Sequence, residues 1–312
     1  MCGVLLGGSS GRGEVWPGSD VDLFVVAARD TPVAVGRPDV GARFADMHPI
    51  PAAELEALTI DRAAFAAASV VDETAGGLPL YDPRGILARW LALVQARLDD
   101  SAMWRARAEA RLLAARAALA AAAAEPEPIE SALLARDAAR LGAWAAVVGR
   151  GGLVGSARRF AGRFLAECSE GMRPPFAHAW GLGGGQAAVE VSIGGLRAAL
   201  RAALDGAARQ SVVVVEHPWI ATWRAGGAAE REAFIARHPW PPLLAPAMAS
   251  GHHDGVLMWM RGYYRPAFKE VLSRLPPAEW PVAELRQFYG LLGGERAACG
   301  ILLAQVAKVV VA

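Results

Sequence analysis

The chain has little cysteine, and its few cysteines form no pattern. Only Cys2, Cys168 and Cys299 occur in 312 residues, an odd number of widely separated positions. No CxxC pair or other metal-ligand spacing is present. This argues against a disulfide framework or a cysteine metal site, and it favours a reducing compartment.

Long apolar runs are also missing. The first residues show no basic segment followed by an apolar core, which is the pattern of a signal peptide. The most apolar stretch, GILLAQVAKVVVA at 300–312, contains Lys308 and is too short to span a bilayer. We therefore expect a soluble, cytoplasmic protein that makes no use of a membrane.

An excess of charge of one sign is absent as well. The 32 basic and 31 acidic side chains leave a net charge of +1. Proteins dedicated to nucleic acids usually carry a basic excess, so we do not expect nucleic acid as a partner. Apolar residues make up 54% of the chain, which is enough for a sizeable core, and the length favours two domains.

The order of strand and helix patterns predicts an α+β protein. Residues 1–88 combine strands and turns, with VLLGG at 4–8 and DVDLFVVAA at 20–28 as buried strands and 42–50 as a third. From residue 89 onwards the chain reads as Ala- and Arg-rich helices. We predict a small mixed β-sheet domain at 1–88 followed by an all-α domain at 89–312, and leave a homodimer open.

Three aspartates within the predicted strands point to a metal site. Side chains alternate along a strand, so Asp20 and Asp22 lie on one face. Two carboxylates 4 Å apart repel by about 4 kcal/mol at an effective dielectric constant near 20, unless a cation lies between them. Hard oxygen ligands favour Mg²⁺ or Mn²⁺. Asp46, in the middle of the next strand, is the expected third ligand.

A Gly/Ser-rich turn precedes this pair of aspartates. Gly8, Ser9 and Ser10 permit close backbone approach, and their N–H groups suit a phosphate. Arg12 would donate to the same phosphate, or alternatively form a surface ion pair with Glu14. A Walker A loop is excluded because the turn contains no lysine. A Rossmann fingerprint is excluded because Trp16 stands where a third glycine is needed.

Together, these elements resemble the signature of the nucleotidyltransferase superfamily, which includes DNA polymerase β and kanamycin nucleotidyltransferase. The quoted motif is L-G-G-S, about ten residues, then D-V-D-L, with A-D-M on another strand. In that resemblance Gly8 and Ser9 match the phosphate-binding pair. Asp20 and Asp22 match the metal-binding pair, and Asp46 matches the third carboxylate. The resemblance covers roughly residues 3–88.

The resemblance implies a reaction. An acceptor hydroxyl attacks the α-phosphate of a nucleoside triphosphate, with ATP the expected donor, and pyrophosphate leaves. Two metals, with Mg²⁺ or Mn²⁺ expected, stabilise the attacking and leaving oxygens. We expect a small-molecule hydroxyl acceptor held by the helical domain. The alternative is a non-catalytic nucleotide- or partner-binding protein, like the nucleotidyltransferase-fold halves of toxin–antitoxin pairs.

Several other polar and aromatic residues allow a structural interpretation. His48 alternates onto the face of Asp46 and is expected to be a structural histidine beside the site. His252, His253 and Asp254 are interpreted as a helix-start loop. A set of aromatic residues would either line an acceptor pocket or pack in the core: Trp219, Trp223, Trp240, Trp259, Tyr263 and Tyr264.

Overall fold

A computed structural model describes most of the chain. The described residues are 2–15, 21–28, 39–40, 43–154, 157–210, 218–238, 244–245, 248–249 and 251–310. Asp20 and Trp240, both singled out by the sequence, lie outside them. Two compact units are present. The first comprises Met1–Ala117, Ala138–Met172 and Leu302–Ala312, and the second Ala118–Asp137 and Arg173–Ile301.

The first unit is built on a mixed β-sheet. Its strands, in chain order, are β1 (Gly3–Leu6), β2 (Val21–Ala27), β3 (Asp39–Val40), β4 (Arg43–Pro51) and β5 (Leu78–Tyr81). Their order across the sheet is β3-β4-β2-β1-β5. The neighbours β2 and β4 run parallel, whereas β1 is antiparallel to both β2 and β5. The predicted strands are therefore present, and the sheet is mixed.

Helices make up most of the rest. In chain order they are α1 (Gly8–Gly11), α2 (Ala52–Ile60), α3 (Arg62–Ala67), α4 (Val70–Thr74), α5 (Ile86–Leu98), α6 (Ser101–Ala124), α7 (Pro128–Val148), α8 (Ala157–Glu167), α9 (Arg173–Trp180), α10 (Gly185–Arg209), α11 (Pro218–Ala225), α12 (Ala228–Ala236), α13 (His253–Leu272), α14 (Val282–Tyr289) and α15 (Glu295–Val310). The predicted α+β class is thus confirmed. Among the described helices, none is long and apolar enough to cross a membrane.

The core of the first unit joins one sheet face to helices α2–α5. Leu5, Phe24 and Val26 of the sheet pack with Phe65 of α3 and Trp90 of α5, each at most 2% exposed. Since α5 contacts β1, the packing unit extends beyond residue 88. The predicted division into a nucleotide-binding part (1–88) and an acceptor-binding part (89–312) concerns function, and it stays a prediction.

A buried ion pair ties α4 to α6. Asp72 and Arg107 are both fully buried, and Arg107 Nη2 donates to Asp72 Oδ2. Arg111 lies 3.9 Å from the same carboxylate oxygen, and its guanidinium stacks on Trp144. Burial raises the pKa of Asp72 despite these cations. Removing either partner of such a pair leaves an uncompensated charge in the core, so the pair holds α4 in place.

In the second unit, buried arginines donate to backbone carbonyls, whereas Arg107 pairs with a buried carboxylate. Arg136 donates from Nε to Ala179 O at 2.7 Å and from Nη2 to Gly290 O at 3.0 Å, while Arg261 Nε donates to Phe288 O at 3.1 Å. These carbonyls lie at the C-terminal ends of α9 and α14, where backbone carbonyls have no N–H partner within the helix. Burial lowers the pKa of Arg136 to about 10. The two guanidinium groups thus act as C-terminal caps for two helices.

Residues of the second unit that the sequence left open lie in structural positions. Trp223 and Tyr264 are buried in the core, whereas Tyr263 is exposed. His252 is the residue before α13, and Asp254 Oδ1 accepts from the Gly183 N–H at 2.9 Å. The burial of Trp223 and Tyr264 favours packing over an acceptor role, and Asp254 joins the start of α13 to the loop before α10.

The buried pair generates a stability prediction. We expect Asp72→Leu to lower the free energy of unfolding by about 3–5 kcal/mol, because Arg107 is left buried and unpaired. Asp72→Leu combined with Arg107→Met should recover part of that loss. Urea unfolding measures both variants. The control is Arg201→Met, which breaks an exposed pair with Glu232 and should cost about 0–1 kcal/mol. A double variant no more stable than Asp72→Leu would contradict the role assigned to the pair.

Candidate active site

The Gly/Ser-rich turn is fastened to the strand that carries the second aspartate. The Gly7 N–H donates to Asp22 O at 2.9 Å, which extends the β1–β2 ladder into the turn. The chain then enters the single helical turn α1, closed by a Gly11 N–H to Gly7 O bond of 2.7 Å. Ser9 is buried, and Gly8 and Ser10 are half-buried. The predicted phosphate-binding residues thus lie directly at the head of β2.

Glycine at position 8 is required by two independent features. Gly8 has φ of +57°, a left-handed conformation that L side chains rarely adopt. A Cβ built on it would come within 1.9 Å of Asp22 Oδ2. The carboxylate of Asp22 therefore occupies the space that a side chain at residue 8 would fill. The Gly8 backbone and the Asp22 carboxylate thus lie close together.

The register of the parallel pair brings two of the predicted carboxylates together. Asp22 of β2 is the direct neighbour of Asp46 of β4. Neighbouring strands lie about 4.8 Å apart, and facing residues project to the same side of a sheet. Asp22 and Asp46 are half-buried, so neither is sealed from ligands. Asp20, the remaining member of the predicted set, lies outside the described residues.

His48 adds an imidazole to the same face. Its Nε2 is 3.3 Å from Asp22 Oδ1, and its ring stacks on Phe24 with centroids 4.8 Å apart. The hydrogen bond with Asp22 raises the pKa of His48 above 6.5, and the charges of Asp46 and Glu73 act in the same direction, against desolvation. The expected position of His48 beside the site is confirmed by this geometry.

Glu73 lies beside the candidate site, and the sequence reasoning missed it. Its carbonyl oxygen would lie 2.9 Å from a Cβ at Gly7, which places the end of α4 against the turn. Desolvation raises the pKa of Glu73, and the charges of Asp22 and Asp72 raise it further, while His48 opposes them. The only signal in the sequence is an acidic pair, Asp72-Glu73, directly after two valines.

Arg12 has partners within the protein. Its Nε lies 3.3 Å from Glu14 Oε2, which is the ion pair offered as the alternative interpretation. Its Nη1 donates to Asp72 O at 3.2 Å, and its stem covers Gly76. Arg12 thereby joins the turn to α4. Its predicted phosphate contact stays a prediction.

The donor set fits a hard divalent cation. Asp22 and Asp46 lie at neighbouring positions and offer carboxylate oxygens, and the Gly8 backbone lies directly beside Asp22 Oδ2. Within the described part of the chain, no three acidic, histidine or cysteine side chains group as a metal site. The residues that would hold the ion are therefore Asp22 and Asp46, with Asp20 as the predicted third.

Comparison with known proteins agrees with this arrangement. Residues 3–62 match the family model described as a nucleotidyltransferase domain. The match includes the Gly/Ser-rich turn, β2 and β4, and it confirms the predicted resemblance for the N-terminal region. A search of curated proteins found no match to the chain.

Two glycine-to-alanine variants distinguish backbone strain from overlap with the Asp22 carboxylate. Gly8→Ala should lower the free energy of unfolding by more than Gly13→Ala, because only residue 8 faces Asp22. Gly13 has φ of +69° and no heavy atom within 4 Å of its built Cβ, so its variant reports backbone strain alone, about 1 kcal/mol. Urea unfolding gives both values. Equal losses would contradict the close approach of turn and carboxylate.

The His48–Asp22 contact predicts a pH dependence of stability. Because the folded-state pKa of His48 is raised, the protonated ring stabilises the native state fully below pH 6.5. That contribution is lost as the pH rises through the folded-state value. The free energy of unfolding of the wild type should therefore fall, relative to His48→Gln, as the pH increases above 6.5. Asp22→Asn should reduce this dependence. Parallel pH profiles for wild type and His48→Gln would contradict the contact.

Proposed function

We propose that the protein is a metal-dependent nucleotidyltransferase. It would transfer a nucleoside monophosphate from a nucleoside triphosphate, with ATP as the expected donor, to a hydroxyl group of a small molecule. The observation that carries the proposal is the juxtaposition of the Gly8 backbone, the Asp22 carboxylate and the neighbouring Asp46. The family match over residues 3–62 supports it.

The chemistry follows from where these groups lie. Backbone N–H groups of Gly8, Ser9 and Ser10, at the first turn of α1, would donate to the leaving phosphates. Mg²⁺ or Mn²⁺, when bound, would supply positive charge that neutralises the negative charge developing during the transfer. Asp20 and Asp22 would bind both ions, and Asp46 would bind the one that activates the acceptor.

The proposed transfer balances in bonds and charge. The acceptor oxygen forms a bond to the α-phosphorus, the bond from the α-phosphorus to the bridging oxygen breaks, and pyrophosphate leaves. The acceptor proton goes to a carboxylate, for which Asp46 is the proposed base. Because Asp46 is only half-buried, an acceptor hydroxyl can reach it.

The cellular compartment is also a proposal. Cys2, Cys168 and Cys299 are all buried, and none of them forms a disulfide. Thiols kept reduced are typical of the cytoplasm, which agrees with the expectation from the sequence.

A second candidate is a non-catalytic nucleotide- or partner-binding protein. It is favoured by one observation, the 3.3 Å contact of His48 with Asp22. A protonated His48 partly compensates the carboxylates without a metal, so the arrangement does not by itself require one. Transfer activity distinguishes the two candidates, because only the first forms a product.

The proposed site predicts metal-dependent triphosphate binding. We expect the melting temperature to rise with at least one of ATP, GTP, CTP and UTP in the presence of Mg²⁺ or Mn²⁺, because ligand binds only the folded state. Asp22→Asn and Asp46→Asn should abolish the rise. The matched control is Asp99→Asn, at an exposed carboxylate after α5, which should retain it. A wild type that responds to no triphosphate would overturn the first candidate and leave only partner binding for the second.

Transfer itself is tested with α-labelled triphosphates and a panel of hydroxyl acceptors. Label should appear in an acceptor together with released pyrophosphate. Asp46→Asn should lower the rate by at least about 10²-fold, because it removes both the proposed base and a proposed metal ligand. Metal-dependent binding without any labelled acceptor would favour the non-catalytic candidate.

A further inference from the structure

A cavity of about 570 Å³ lies in the first unit, beside the end of the Gly/Ser-rich turn. Its walls come from the residues after α1, the turn before β5, the adjoining ends of α5 and α6, the loop after α7, and α8. Pockets for small ligands typically measure about 300–1,000 Å³. The cavity is therefore large enough for a small organic molecule.

Two arginines on the wall, Arg12 and Arg163, each make two hydrogen bonds within the protein and retain further N–H donors. Arg12 donates from Nε and Nη1 to Glu14 and to the Asp72 carbonyl. Arg163 donates from Nε to Glu167 and from Nη1 to Leu153 O, at 2.7 and 2.6 Å. Within the described residues neither Nη2 has an acceptor, although each guanidinium carries five N–H donors.

The two Nη2 groups on the wall favour an anion. The charged residues of the wall are Arg12, Arg163 and Glu14. The carboxylate of Glu14 already accepts from Arg12, and Arg163 pairs with Glu167. Each guanidinium therefore has one carboxylate partner and keeps further donors. An anionic ligand would thus meet pre-positioned donors, which are the stronger kind of hydrogen bond because the groups are ionised.

The remaining wall is apolar and partly aromatic. Trp104 donates its indole N–H to Leu98 O at 2.6 Å, so the ring offers a ligand only apolar surface. Phe160 and Val154 are buried and also line the space. Flat apolar bodies pack well against such rings.

The cavity is on the other side of the turn from the candidate metal ligands. Asp22 and Asp46 belong to β2 and β4, whereas Gly76 leads into β5, across β1. Gly8 contacts the Asp22 carboxylate, and four residues later Arg12 covers Gly76. An occupant of the cavity would therefore contact the turn through Arg12 without reaching the reacting groups.

We propose that this cavity binds a small anionic molecule with a flat apolar body, and that it is an effector site for the turn. Binding would redirect Arg12, which joins the turn to the Asp72 carbonyl of α4. The binding part of the proposal is independent of the proposed function. The proposed coupling rests on the proposed function, because coupling requires a nucleotide bound at the turn.

Binding is tested on the full chain with a matched pair of probes. Naphthalene-2-sulfonate should bind saturably by isothermal titration calorimetry, and the uncharged naphthalene-2-sulfonamide should bind more weakly. Arg163→Gln should weaken binding of the sulfonate by about tenfold or more, as expected for one charge-assisted hydrogen bond. Arg201→Gln, at an exposed arginine of α10, is the matched control and should bind as the wild type does.

A second variant controls for the possibility that Arg163→Gln loses binding because it misfolds. Gln95 is exposed at the wall, so Gln95→Trp should fold and yet obstruct the space. Thermal unfolding checks both variants. Absence of saturable binding to the wild type, or equal binding by wild type, Arg163→Gln and Gln95→Trp, would overturn the site.

Coupling is then measured as the change in ATP affinity, with Mg²⁺, on saturation with the sulfonate. A change of about fivefold or more, in either direction, supports an effector role. Sulfonate binding with unchanged ATP affinity would overturn that role. If the wild type binds no triphosphate at all, the proposed function fails and so does the effector role, while the calorimetric test still decides the binding site.

Discussion

The close approach of the Gly8 backbone to the Asp22 carboxylate is the constraint on which the N-terminal region depends. Any side chain at residue 8 would displace that carboxylate, and the φ angle already excludes most residues. The Gly7 hydrogen bond to Asp22 then aligns turn and strand. Register places Asp46 beside Asp22, and alternation places His48 next to both. A single tight contact thus organises four groups on one sheet face.

Helix α4, which lies against the turn, supports this contact. The end of α4 touches Gly7, and the Asp72 carbonyl accepts from Arg12, so α4 braces the turn at two points. The helix is anchored in turn by the buried pair of Asp72 and Arg107. Because a buried pair tolerates little displacement of either partner, the position of the turn depends on a side chain of α6 that is nowhere near the candidate site along the chain.

Local patterns in the sequence were sufficient for the turn and for the strands β1, β2 and β4. Gly8 and Asp22 follow from glycine geometry and strand alternation, which act over a few residues, whereas the neighbouring position of Asp46 depends on the register of two strands. Glu73 and the Asp72–Arg107 pair could not be predicted, because the partners are far apart in the chain and only tertiary packing brings them together. Arg12 illustrates the same limit. Its two candidate partners were recognised, but its bond to the Asp72 carbonyl spans 60 positions.

The neighbouring positions of Asp22 and Asp46 also bear on how such a protein changes over generations. Adjacent carboxylates repel, so the ligand-free fold retains an unfavourable interaction that an apolar residue at either position would remove. An apolar substitution at Asp46 is therefore not opposed by this repulsion, whereas one at Asp22 would also lose the contact with His48. If the protein has the proposed function, loss of chemistry with retention of the fold is an accessible mutational path at residue 46, and selection for the bound ligand would keep that aspartate in place.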